Sequence, residues 1–431
     1  MKNVRLATCL AVGFGLAATA ALIAHPAPHG IHPVPDASGS FETVSTQGGI
    51  DQHNPFFIPE GSNGRACSTC HVAETAWTIS PSEVQQRFMR TAGTDPLFRP
   101  VDGTTCPSDD TSSFWARLHS YRMLLSKGLI RIGLSVPANA DFTVTAVDSP
   151  YVCNTPENVS FYRRPLPATN LRFVPAVMWD GREASLATQA SGAITGHAQA
   201  PTAPPAAIVN QIVDFESSLY SAQLVDRRAG ALTEGGAHGG PMALLAQPFT
   251  QGENNIDANG NVPDPQVFDT YAAWTHSDAP HRAAIARGEA IFNSRPILIT
   301  GVGGLNDALN QPVITGTCST CHNAANVGDH SSVGFLNIGT ADAAHRTPDL
   351  PLYTVQCADG AVVQASDLGR AMISGHCADI GKFKGPVLRA LAARAPYFHN
   401  GMAATLMDVV NFYNDRFHLD LSPQEKSDLA A

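Results

Sequence analysis

Two identical pentapeptides are the residues best equipped for chemistry: Cys67-Ser68-Thr69-Cys70-His71 and Cys318-Ser319-Thr320-Cys321-His322. Two thiols three positions apart can add across the two vinyl groups of one porphyrin, and the adjacent His then sits under the iron as an axial ligand. The spacing C-x-x-C-H is accordingly the attachment signature of a c-type haem. A structural zinc site wants four ligands at short spacing, whereas these pairs lie in opposite halves of the chain. A redox dithiol would explain one copy but not the paired His in both. The pattern predicts two covalently bound c-type haems, with Cys67, Cys70, Cys318 and Cys321 as attachment points and His71 and His322 as metal ligands.

Five of the nine cysteines lie outside the two motifs, and their reading depends on the compartment in which the chain works. Cys9 falls in the segment where Lys2 and Arg5 precede an uncharged apolar run from Leu6 to Ala24, the pattern of a secretory signal or an uncleaved anchor. Ala18-Thr19-Ala20 offers a small-residue cleavage site, and residues 25–46, with Pro26, Pro28, Pro33 and Pro35, read as a linker. A periplasmic location is expected, with membrane attachment only if residues 1–24 are retained. In that oxidising setting Cys106, Cys153, Cys357 and Cys377 are expected as disulfides. Proximity favours Cys106 with Cys153 and Cys357 with Cys377, although four cysteines allow three connectivities.

The elements that must position these groups come next. The 431 residues suggest two or three domains, and 44% hydrophobic against 15% charged residues excludes a disordered chain or a coiled coil. With 27 basic against 37 acidic residues the net charge is −10, so nucleic-acid binding has no electrostatic footprint. We divide the chain into an N-terminal cytochrome c domain over 47–280, carrying the first motif and insertions, and a C-terminal one over 281–431. Ile285, Gly288, Ile291 and Phe292 share one helical face, and Leu406, Val409, Val410 and Tyr413 share another, opened by a Thr405/Asp408 capping box. Ser422-Pro423-Gln424-Glu425 opens a last short helix. Strand-like alternation is confined to stretches such as Phe142–Val147. The expected fold is mostly α: two cytochrome c-type domains with long loops and insertions.

Three further blocks add a family resemblance. They are Met178-Trp179-Asp180-Gly181-Arg182 leading to Gln189, Gly381-Lys382-Phe383-Lys384-Gly385-Pro386, and Ala395-Pro396-Tyr397-Phe398-His399-Asn400-Gly401 leading to Val410-Asn411-Phe412-Tyr413. In order and spacing the chain resembles the bacterial di-haem cytochrome c peroxidase family, including the branch that matures methylamine dehydrogenase. The resemblance covers about half of the chain. It implies that the N-terminal haem reacts with hydrogen peroxide, that the C-terminal haem stores and relays electrons, and that Trp179 conducts between them. A small redox protein is the implied electron donor. The alternatives are peroxide-dependent oxidation of a partner protein, as in the maturation branch, and a di-haem electron carrier without catalysis.

Departures from the family pattern sharpen this reading. The usual distal His, sixteen positions after His71, is Arg87, so the first iron is expected to lack that ligand. The usual acid–base Glu, ten positions after Gln189, is Gln199, which cannot shuttle a proton. His197 is either its replacement or a solvent-exposed His in a Gly-flanked loop. His399 matches a His that the family places near the haems. The family's calcium is in doubt, because its usual Asn and Thr are Arg164 and Arg394, which would repel a cation or instead neutralise haem propionates. Fourteen residues after His399, where peroxidases carry an axial Met, stands Tyr413, as in the maturation branch. Tyr413 is the expected second ligand of the C-terminal haem; the alternative is a core Tyr with Met402 or Met407 as ligand.

Overall fold

A computed structural model describes residues 30–255 and 264–431. The run expected as signal or anchor, 1–24, lies outside the described residues. Among those described, no helix is long and apolar enough to cross a membrane.

The fold is mixed α/β, which corrects the mostly α expectation: 31% of the described residues are helical and 17% lie in strands. In chain order the N-terminal half forms β1 (Gly30–Pro35), β2 (Gly39–Ser45), α1 (Pro81–Thr91), α2 (Phe114–Ser120), α3 (Arg122–Lys127), β3 (Ile130–Leu134), β4 (Phe142–Asp148), β5 (Val159–Arg163), α4 (Leu186–Gly196), α5 (Ala206–Ser217), β6 (Leu219–Asp226), β7 (Gly230–Ala231) and α6 (Gly240–Ala246). Then follow α7 (Pro280–Ser294), β8 (Ile297–Thr300), β9 (Val313–Gly316), β10 (Leu352–Cys357), β11 (Val362–Ala365), α8 (Ala371–Ser374), α9 (Leu406–Phe417) and α10 (Pro423–Ala430). The largest sheet has the order β1-β2-β6-β7, a second has β11-β10-β4, and β3-β5 and β8-β9 are two-stranded pairs.

The unexpected strands have physical reasons for being hard to see. Residues 30–45, read as linker because of their prolines, run as β1 and β2, and β1 lies at the sheet edge, where a missing N–H is tolerated. The buried face of β2 is part hydroxyl: Thr43 bonds Ser221 at 2.6 Å and Ser45 bonds Ser218 at 2.9 Å. Hydroxyls satisfied across strands bury without cost, and they erase the apolar alternation by which a strand is recognised.

The expected helices are present. The Thr405/Asp408 box caps α9 and Ser422 caps α10, whose first residue is Pro423. Gly288 lets α7 approach α10: a Cβ there would lie 2.0 Å from the Asp428 carbonyl oxygen. Cys106 is joined to Cys153 and Cys357 to Cys377, as proximity favoured. The two halves share a core, for β4 pairs with β10, and Phe142, Val144 and Phe161 pack with Tyr353, Val355 and Leu368.

Candidate haem crevice and redox site

The two pentapeptides repeat one another down to single hydrogen bonds. Each begins on a one-turn 3₁₀ helix, Cys67–Thr69 and Cys318–Thr320. The Thr69 hydroxyl accepts from the Ala66 N–H at 3.0 Å and the Thr320 hydroxyl from the Thr317 N–H at 2.9 Å. His71 Nδ1 lies 3.0 Å from the Trp77 carbonyl, and His322 Nδ1 lies 2.6 Å from that of Gly328, six residues on in both cases. A carbonyl can only accept, so each Nδ1 carries the proton and each Nε2 keeps the lone pair that a metal requires. Burial lowers both imidazole pKa values and favours this neutral, ligating form.

The four thiols are free. Burial pushes them up to about 12 for Cys67 and Cys321 and about 11 for Cys70 and Cys318. A redox dithiol depends on a depressed thiol pKa, so this environment favours attachment of a group over dithiol exchange.

Beside the first motif opens a crevice of about 1530 Å³, a volume that includes its open solvent mouth. Both halves line it: Cys67, Cys70 and His71 from the motif, Gln189 from α4, Trp179, and Lys384 from the C-terminal half. Its walls also carry Arg163, Arg164 and Arg182. Arg163 is neutralised by Asp180 and Asp367, at 2.5 and 2.7 Å. Arg164 and Lys384 form no ion pair with a carboxylate among the described residues, and burial lowers the pKa of both. Two thiols, a ligating imidazole and surplus buried positive charge suit a dianionic porphyrin, so these residues fit a haem.

At the crevice wall His197 Nδ1 lies 2.5 Å from Asp102 Oδ2, while Arg65 Nη1 lies 2.6 Å from Asp102 Oδ1. Asp102 is buried; burial works to raise its pKa, but the His197 hydrogen bond and the Arg65 charge override this and hold it below the usual range. An ionised carboxylate can only accept, so Nδ1 carries the proton that faces Asp102, which leaves Nε2 as the second ring nitrogen of this half-exposed His. Asp102 and Arg65 were not singled out in the sequence. Nothing local marks them, since Asp102 meets His197 across 95 positions of chain.

Trp179 is held from several sides. Its Nε1 donates to the Arg164 carbonyl at 2.8 Å and its own carbonyl accepts from the Lys384 N–H at 2.9 Å. The W-D-G-R block is a turn: Asp180 is fully buried against Arg163 and Arg182, and Gly181 has φ +66°, with Phe335 2.3 Å from where a Cβ would be. Arg370 from the other half donates to the Asp180 and Gly181 carbonyls at 3.0 Å each. His399 is buried, stacked on Phe383 at 3.9 Å and 6.3 Å from the Trp179 ring. Burial pushes its pKa down to about 4.

Around the second motif, Tyr413 projects from α9 into the cluster that contains Cys318 and Cys321, with its ring centroid 6.4 Å from that of His322. Burial, then the two nearby thiols, raises its pKa. Met407 is exposed on the same helix.

Gln199 stands apart from these groups. It is exposed, with φ +58°, and its Oε1 accepts from Asn63 at 3.1 Å outside the crevice lining. Arg87 is drawn away by Asp95 at 2.5 Å and braces the motif through the Thr69 carbonyl at 2.8 Å. Arg164 and Arg394 are both buried where the resemblance implied calcium, and two guanidinium groups do not fit a cation site.

No family model matches the sequence. Parts of it match curated cytochrome-c peroxidases. It is 34% identical over 128 residues to cytochrome-c peroxidase IdrP2 of Denitromonas iodatirespirans, covering 27% of this chain and 35% of that one. It is 32% identical over 136 residues to cytochrome-c peroxidase IdrP1 of Pseudomonas sp. strain SCT, covering 26% and 35%. To cytochrome c551 peroxidase of Pseudomonas aeruginosa it is 23% identical over 267 residues, 61% of each chain. The matched region thus spans about a third of the first two relatives. A solved structure of a MauG-like protein associated with microbial copper homeostasis aligns over 87% of this chain and 84% of that one, at 16% identity and a TM-score of 0.42. Parts of the chain are thus similar to proteins named as cytochrome-c peroxidases, in keeping with the resemblance that its motifs carry.

Proposed function

We propose that this chain is a periplasmic di-haem oxidoreductase that reduces hydrogen peroxide at its N-terminal crevice. The observation that carries the reading is the juxtaposition, in one crevice, of a ligating His71 and a His197 oriented by Asp102 and Arg65. Cys67, Cys70 and His71 would hold one haem, and Cys318, Cys321 and His322 the other. When bound, these groups supply iron that exchanges electrons, and each peroxide takes two electrons and two protons to give two waters.

His197 Nε2 takes a proton from the incoming peroxide and returns it to the departing oxygen. Asp102 holds the Nδ1 proton and stabilises the imidazolium formed in between, while Arg65 keeps Asp102 ionised. Trp179, tied to Arg164, is the conduit between the halves, and His399 packs beside it. Gln189 lines the crevice and can orient peroxide by hydrogen bonding. Gln199 has no part in this scheme.

Tyr413 favours a second reading, in which the oxidising equivalents are spent on a partner protein, because it lies beside Cys318 and Cys321 while Met407 is exposed. One experiment separates the readings. Diferric holoprotein is mixed with one equivalent of peroxide, then assayed for turnover with a reduced small cytochrome. A high-spin haem that reacts and turns over supports the peroxidase, and reaction without turnover favours protein oxidation. Two low-spin haems inert to peroxide would leave an electron carrier and overturn the proposal.

A further inference from the structure

The junction between the halves is built around a buried positive charge. Arg164 is 5% exposed, and its guanidinium donates from Nη1 to the Lys127 carbonyl at 2.8 Å and from Nη2 to the carbonyls of Ile79, Arg394 and Ala395 at 2.8, 3.2 and 3.4 Å. With the Gly128 carbonyl at 3.5 Å from Nη1, five carbonyl oxygens from three separate segments thus converge on one cation. Inward-facing backbone oxygens of this kind are the ligand chemistry of a hard metal ion such as calcium. The cage is cut to the guanidinium, for a Cβ on Gly128 would lie 2.2 Å from Arg164 Nη1.

No carboxylate balances the charge among the described residues. The charged group facing Arg164 is Arg394, whose Nη2 is itself bound by the carbonyls of Val387 and Arg389. Burial, then Arg394, lowers the Arg164 pKa to about 10, which leaves it a cation at neutral pH. Its backbone extends the same junction: the N–H donates to the His399 carbonyl at 2.7 Å, and the carbonyl accepts from Trp179 Nε1.

We propose that the Arg164 guanidinium is a built-in cation filling a carbonyl cage between the two halves, so that this chain fixes Trp179 and the His399 segment with no divalent ion. Arginine suits the task because its charge cannot dissociate and its fork satisfies several oxygens at once. The inference concerns the junction and does not depend on which oxidative reaction the crevice performs.

The test is thermal unfolding of wild-type, Arg164→Lys and Arg164→Asn holoproteins, each with EDTA or calcium chloride, together with metal analysis of the purified wild type. Wild type should carry no stoichiometric divalent ion and show the same Tm in both conditions. Arg164→Lys keeps the charge but loses donors, and should unfold a few degrees lower, again without a calcium response. Arg164→Asn empties the cage and adds an oxygen; its Tm should fall by about 5 °C or more and rise on adding calcium. A wild-type Tm lowered by EDTA, or an Arg164→Asn protein that responds to calcium no more than wild type, would overturn the proposal. If Arg164→Asn does not accumulate, the wild-type arm and Arg164→Lys decide: an Arg164→Lys Tm raised by calcium refutes the fixed cation, and one indifferent to it upholds it.

Discussion

His197 alone is an ordinary half-exposed imidazole, and the 2.5 Å contact with Asp102 is what gives it a defined tautomer. His197→Ala should therefore slow the reaction with peroxide by about 10²–10⁴-fold while leaving the spectrum of the resting protein unchanged. Asp102→Asn keeps the shape but loses the charge that supports the imidazolium, so the rate should fall less and its acid limb should move. Stopped-flow rates across pH check both, and an unchanged rate in His197→Ala removes that residue from the mechanism. A second prediction at this scale concerns Tyr413. If its oxygen ligates the C-terminal iron, wild type has no near-infrared methionine-to-iron band, and Tyr413→Phe raises that haem's reduction potential by ~0.1 V or more, since axial-ligand identity is a main lever on potential. A methionine band in wild type would return the ligand to Met402 or Met407. The two C-x-x-C-H motifs were legible because their spacing is local in sequence. Asp102 and Arg65 were not, because a lone Asp and a lone Arg acquire meaning only when the fold brings them to His197.

At the scale of elements the same contrast appears between helices and strands. α7, α9 and α10 announce themselves through apolar periodicity or capping boxes, which are short-range signals. β2 and β6 hide behind buried hydroxyls whose partners lie far along the chain, as Thr43 and Ser221 do. The register of β4 against β10 likewise depends on a crossing between halves that no local pattern encodes. Glycine at 288 gives a test of the helix packing. A methyl group 2.0 Å from the Asp428 carbonyl cannot be accommodated, and α10 must move off α7. Gly288→Ala should cost about 1–3 kcal/mol, outweighing the better helix propensity of Ala. Amide exchange should show the loss concentrated in α10. A variant as stable as wild type would mean that α10 is not held at that contact.

The whole molecule carries a pH dependence set by ionisable groups that folding buries. Burial raises Glu216, in the crevice wall, to about 8 and Glu289, on α7, to about 7, both above the ordinary carboxyl value. In the folded protein these carboxyls hold protons that the unfolded chain releases above pH ~4.5. The folded state then binds more protons than the unfolded one, so stability falls as pH rises, until each group ionises in place. His399 works in the opposite sense: its folded value of about 4 lies below the unfolded one, so its contribution is present above pH ~6.5 and is lost as pH falls towards 4. Between pH ~4.5 and ~6.5 the two effects oppose each other; above that the carboxyl term acts without opposition from His399. The Tm of the holoprotein should accordingly decline by several degrees between pH 6.5 and 8. Glu216→Gln removes the longest-lasting part of that term, and its decline should be shallower and end nearer pH 7. A wild-type Tm that stays level or climbs over this interval would show that Glu216 is ionised in the folded protein, with a counter-charge at the crevice wall.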